Sequence, residues 1–182
     1  SEMLFPGFST VMTRARYFLF VPWIFQKLDR ESPNRSEIGE QARKLEIRLI
    51  HSLLDGSDHH SGIIGQNSRD NTKQLPSVIY WGGLGRLGIR RFSGSRTDYF
   101  STTQTRLSAQ ERGNGAWHPS LPPAPKGWLD STTLEMSEAE ADFLRDRILN
   151  SAGHTFLAVL ARDATSAIKE SVPWRSSLVS GA

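Results

Sequence analysis

Residues 13–25 read TRARYFLFVPWIF, and the part from Tyr17 to Phe25 is the longest apolar run in the chain. Apolar side chains at nearly every position predict a helix that other elements cover on all sides. We expect this helix within residues 10–28, kinked or split at Pro22, because proline lacks the backbone N–H that a helix interior uses. The run is less than half of a membrane span, which needs about 20 residues. It therefore predicts a central core helix and no membrane anchor.

Two arginines, Arg14 and Arg16, precede this apolar run. A charge at the edge of a buried element must be paired or hydrogen-bonded. We therefore interpret them as caps or as partners of buried carboxylates, and not as a binding site.

Three further helices follow from periodicity and end signals. Residues 36–54 carry apolar side chains at helical spacing. Pro76 suits the first turn of a helix that Gly88 would end. Ser137 and Glu140 form a capping-box pattern that opens another helix. Residues 90–130 show little periodicity and predict loops, with Trp117 anchoring a proline-rich stretch over residues 117–125.

These elements predict a mainly α fold, an irregular helical domain with long loops and at most a short strand pair. We expect a single domain over residues 1–164, followed by a weakly structured tail over residues 165–182. The start of the chain has no basic signal-peptide region, so we expect a cytoplasmic protein.

Composition removes several chemistries. The chain has 182 residues and no cysteine, which excludes disulfides, thiol catalysis and cysteine-type zinc sites. A GxGxxG pattern occupies residues 83–88, but residues 89–95 do not predict the helix that a dinucleotide site needs. Asp98 also follows Gly88 too closely for the ribose-binding acid. We interpret the pattern as a closely packed helix that ends at Gly88, and we predict no cofactor.

Positive charge is concentrated between Leu84 and Arg112. This span contains six arginines, and its acidic residues are Asp98 and Glu111. Aromatic residues interleave with the arginines, and such a pattern is typical of surfaces that hold phosphates and stack bases. A plain charged surface remains the alternative. The predicted contacts to DNA or RNA are Arg86, Arg90, Arg91, Arg96 and Arg106.

A second candidate site lies in a glycine-rich loop that contains Asp55, Asp58, His59 and His60. Carboxylate and imidazole are both ligands for divalent metals. Metal centres usually draw their ligands from separate rigid elements, which favours a solvated loop here. A metal-dependent nuclease or hydrolase using these four residues remains an alternative, as does a purely structural subunit whose Tyr17–Phe25 helix packs partly on a partner.

Three sequence blocks carry a resemblance: TRARYFLFVPW at residues 13–23, GIIG at residues 62–65 and LPSVIYW at residues 75–81. They resemble a bacterial family of unknown function that is similar to proteins encoded beside helicases and nucleases in anti-phage defence regions. The resemblance covers about Leu4 to Arg162 and implies an accessory role near DNA, without assigning catalytic residues. Residues after Ala164 resemble the family poorly, so we expect a truncated member that has a protein partner or lacks a C-terminal half.

The leading expectation is a non-enzymatic accessory or binding module of a bacterial defence system that contacts nucleic acid through the arginine-rich span.

Overall fold

The computed structural model describes residues 12–31, 36–58, 60–102 and 115–152. Within them the chain is mainly helical. The α-helices are α1 (Tyr17–Glu31), α2 (Ile38–Gly56), α3 (Pro76–Arg86), α4 (Arg96–Thr102) and α5 (Glu138–Ala152), and a 3₁₀ turn spans Arg69–Asn71. One antiparallel bridge, between Arg90 and Trp117, is the β pairing of the described residues. The predicted mainly α fold is confirmed.

Helix α1 is the centre of the core. Each residue from Tyr17 to Phe25 is buried, as predicted, and α1 packs against both α2 and α3. Of the kink or split predicted at Pro22, the split is wrong, since one helix runs through that position to Glu31, and the kink stays a prediction. Proline removes one backbone hydrogen bond, and burial of aromatic side chains on every face outweighs that loss.

Helix α3 contains most of the GxGxxG pattern. A Cβ atom at Gly83 would lie 2.9 Å from the Phe18 ring, so this glycine lets α3 approach α1 closely. Pro76 occupies the first turn, and Gly88 follows the helix in the left-handed conformation that favours glycine. The interpretation as a closely packed helix ending at Gly88 is confirmed.

Helix α5 begins with the predicted capping box. The Ser137 N–H donates to Glu140 Oε2 over 2.9 Å, and the Glu140 N–H donates to Ser137 Oγ over 3.3 Å. The other carboxylate oxygen of Glu140 accepts from Arg16 Nη2 over 2.9 Å, and both side chains are buried. Arg16 is thus the partner of a buried carboxylate, as predicted, and it fastens α5 to α1.

Helix α4 was not expected from periodicity. It begins after Ser95, whose N–H and hydroxyl both donate to Asp98 Oδ2, while the Asp98 N–H donates back to Ser95 Oγ. This reciprocal pattern is the aspartate form of a capping box. The helix places Tyr99 in a cluster of rings with Phe25 and Trp117, and Trp117 is fully buried as the anchor predicted for the proline-rich stretch.

None of the described helices is long and apolar enough to cross a membrane. The predicted tail over residues 165–182 lies outside the described residues, and the single domain over residues 1–164 stays a prediction.

Candidate nucleic-acid interface

An open groove of about 530 Å³, which we call the arginine groove, lies beside the C-terminal half of α3. Three of the predicted contact arginines line it, and no acidic side chain is among its lining residues. The lining residues are Gly82, Gly85, Arg86, Arg90, Arg91, Phe92 and Ser93. Gly82 and Gly85 have no side chains, so α3 forms the floor of the groove, and the arginines and the Phe92 ring form its walls.

Arg90 is built into the wall of the groove. Its guanidinium carbon lies 4.8 Å from the centre of the Trp81 ring, and its Nη1 donates to the backbone carbonyls of Phe92 and Gly94. Burial lowers the pKa of Arg90 from the ordinary arginine value. Arginine nevertheless stays protonated in proteins, so Arg90 is a cation at neutral pH. These contacts fix the plane of the guanidinium, so Arg90 contributes charge and shape from a fixed position.

Arg86 and Arg91 are exposed on the same groove. Burial lowers the pKa of His118, and the nearby charges of Arg147 and Arg91 lower it further. The Arg147 guanidinium also lies 3.8 Å from where a Cβ atom at Gly88 would stand. Arg147, which sequence reasoning missed, therefore adds positive charge near the end of α3.

Arg96 is not among the residues that line this groove. Its Nη1 donates to Ser77 Oγ over 3.2 Å, and its guanidinium carbon lies 5.7 Å from the centre of the Phe100 ring. Its contact with nucleic acid stays a prediction, and Arg106 lies outside the described residues. The structure therefore brings Arg86, Arg90 and Arg91 together on one groove, and Arg96 does not line it.

Arg96 approaches a buried polar site that sequence reasoning also missed. Glu46, on α2, is buried and accepts from the backbone N–H and the hydroxyl of Ser77 over 2.7 and 2.8 Å. Burial raises the pKa of Glu46 to about 7, although the Ser77 hydrogen bonds and the charges of Arg96 and Arg43 act to lower it. Glutamate at an apolar-facing position of α2 is the sequence signal that could have revealed this group.

The alternative metal residues are not brought together in the described part of the chain. Asp55 is exposed in the last turn of α2, and His60 Nε2 lies 3.0 Å from the Leu54 carbonyl oxygen. No group of three or more potential metal ligands occurs among the described residues. His59 is outside them, so the four-residue metal site remains untested.

The fold and this groove define a mainly helical domain with a cationic surface at the end of one helix. The chain belongs to DUF6361, a family of unknown function, whose model matches residues 1–179. That match extends beyond the Leu4–Arg162 range of the expected resemblance. The chain matches no curated protein and no solved structure.

Proposed function

We propose that the chain is a non-enzymatic nucleic-acid-binding module that holds the phosphate backbone of DNA or RNA in the arginine groove. The observation that carries the proposal is the meeting of Arg86, Arg90 and Arg91 on one groove with no acidic side chain in its lining. Phosphate contacts by arginine supply most of the affinity of such modules without reading sequence.

The geometry of the three arginines supports phosphate as the ligand. Arg90 is held in a fixed orientation by the Trp81 ring and by the backbone carbonyls of Trp81, Phe92 and Gly94, so little conformational entropy is lost when an anion binds beside it. Arg86 and Arg91 are exposed, so a strand in the groove can reach both guanidinium groups. The planar guanidinium group matches two phosphate oxygens at once, which a lysine does not.

The resemblance stated for the sequence blocks adds a cellular setting to this proposal. We place the module in the cytoplasm of a bacterium, as an accessory of an anti-phage system, where it would hold nucleic acid for a partner enzyme. The protein partner is a separate part of this proposal, and co-purification of the tagged chain with an enzyme encoded beside it tests that part.

Fluorescence anisotropy with labelled duplex DNA and RNA tests the binding itself. The variant combines Arg86→Ala with Arg91→Ala, and the matched control combines Arg30→Ala with Lys126→Ala, which removes the same charge from exposed positions outside the groove. We expect the groove variant to bind at least about tenfold more weakly at 0.1 M salt, from the loss of two phosphate contacts. Equal binding by both variants, with both folded by circular dichroism, would overturn the proposal.

A further inference from the structure

A second concave surface, of about 630 Å³, lies at the other end of α3. We call it the GIIG pocket, because residues 62–65 form one of its walls. Its lining combines apolar side chains, hydroxyls, amides and a single cation, with no acidic side chain. The lining residues are Thr13, Gly62, Ile63, Ile64, Gly65, Gln66, Ser68, Asn71, Thr72, Lys73, Gln74 and Ile79.

The loop that forms the pocket is held in place from several sides. Thr13 Oγ1 donates to the Gly62 carbonyl over 2.9 Å, and the Ile64 N–H donates to the Tyr17 hydroxyl over 3.0 Å. Gly62 and Gly65 both have left-handed backbone conformations, with φ of 81° and 77°. The turn is therefore specified by glycine and tied to the start of α1, and its shape exists before any ligand arrives.

The chemistry of the lining fits a nucleobase. Ile79 offers an apolar surface for a flat ring, and the exposed amides of Gln66, Asn71 and Gln74 offer paired donors and acceptors. Side-chain amides form two hydrogen bonds to the edge of a base when that edge is unpaired. Lys73 supplies a cation for the phosphate that accompanies the base.

Helix α3 connects this pocket to the arginine groove. Ile79 lines the pocket, while Gly82 and Arg86 line the groove, and these three residues share one face of the helix. Seven residues of α-helix separate Ile79 from Arg86 by about 10 Å, the advance of about three stacked nucleotides. A strand that lies along this face would reach both surfaces.

From this juxtaposition we infer that the GIIG pocket takes an unpaired base of a strand whose phosphates lie in the arginine groove. The inference rests on the proposed function and deepens it, because it names single-stranded nucleic acid as the favoured substrate. A duplex would fill the groove but leave the pocket empty, since its bases are paired and stacked.

The test compares labelled single strands with the matching duplex by fluorescence anisotropy. The pocket variant combines Gln66→Ala with Asn71→Ala, and the matched control is Asn67→Ala, an exposed amide of the same loop that does not line the pocket. We expect the wild-type chain to prefer the single strand by about fivefold to tenfold, the value of about one net hydrogen bond. The pocket variant should lose this preference and keep its duplex affinity, while Asn67→Ala should keep both.

The outcomes separate the inference from the proposed function. Two outcomes overturn the inference without contradicting phosphate binding in the arginine groove. The first is equal affinity of the wild-type chain for single strand and duplex, and the second is an unchanged preference in the pocket variant. Failure to bind either nucleic acid overturns both. Free nucleoside 5′-monophosphates that bind as tightly as the strand also overturn the inference, because the pocket would then serve a free nucleotide.

Discussion

The junction of α1 with α5 and the groove beside α3 use the same residue type for opposite purposes. At the junction, Arg16 is buried against the carboxylate of Glu140. On the groove, Arg86 and Arg91 are exposed and no carboxylate is among the lining residues. The first arrangement uses charge within the fold, and the second leaves charge available to a ligand. Arginine content alone therefore predicts neither role, because the position of the nearest carboxylate decides between them.

The largest effect is expected from breaking the buried pair. Arg16→Leu leaves the Glu140 carboxylate buried without its cation, and we expect the free energy of unfolding to fall by about 3–5 kcal/mol. Urea denaturation followed by circular dichroism measures the change. The matched control is Lys44→Met, which breaks the exposed pair between Lys44 and Glu40 and should cause no measurable loss. Similar losses in both variants would contradict the distinction between the two regions.

Glu46 extends the comparison to a buried carboxyl that a protonation change can neutralise. Its pKa is raised from 4.5 to about 7 in the folded chain, so the folded state holds a proton that the unfolded state releases between these values. Stability should therefore fall as pH rises from about 4.5 to about 7, by at most about 1.4 kcal/mol per pH unit, and level off above that. Glu46→Gln should flatten this dependence in urea titrations across that range. An unchanged slope in the variant would show that another group is responsible.

Arg90 combines both uses of arginine, because it lines the groove and also packs on Trp81 within the fold. We expect Arg90→Ala to lower the free energy of unfolding by about 1–2 kcal/mol, from the lost ring contact and carbonyl hydrogen bonds. It should also weaken nucleic-acid binding, unlike Arg16→Leu, whose folded fraction should bind normally. Thermal melts and anisotropy on one preparation measure both effects. Arg90→Lys keeps the charge without the planar fork, and a fully restored stability in that variant would contradict the positioning role.

The smallest effect concerns two glycines of α3. Apart from its chain neighbours and the backbone of α3 itself, no described atom lies within 4 Å of a Cβ atom placed at Gly82, whereas one at Gly85 would collide with the Arg90 guanidinium. Gly82→Ala should raise the free energy of unfolding by about 0.5–1 kcal/mol through helix propensity. Gly85→Ala should gain less, because Arg90 has to move. Equal gains in urea denaturation would mean that Arg90 is not held across α3.

Local sequence signals predicted much of this fold. The apolar run of residues 17–25 predicted the central helix, and the Ser137–Glu140 capping box predicted the start of α5, because both depend on neighbours in sequence. The continuity of α1 through Pro22 and the short helix α4 were not predicted. Both owe their stability to packing against distant parts of the chain, although the Ser95–Asp98 spacing was a local signal for α4.

The site was predictable in composition and not in geometry. The density of arginines marked residues 84–112 as a candidate surface, yet nothing local distinguished Arg90, stacked on Trp81, from Arg91, which is exposed. That distinction depends on which groups the fold brings beside each guanidinium. Arg147 lies near the end of α3 because of where α5 packs, and no local sequence pattern predicts that packing.

The most direct test of the central claim is the salt dependence of duplex DNA binding by the wild-type chain and by the variant combining Arg86→Ala with Arg91→Ala. Each phosphate neutralised contributes about 0.9 to the slope of log affinity against log salt concentration. With three groove arginines we expect this slope to be about −2.7 for the wild-type chain and about −0.9 for the variant. Equal slopes, with both proteins folded, would contradict the claim that these exposed arginines hold the phosphates.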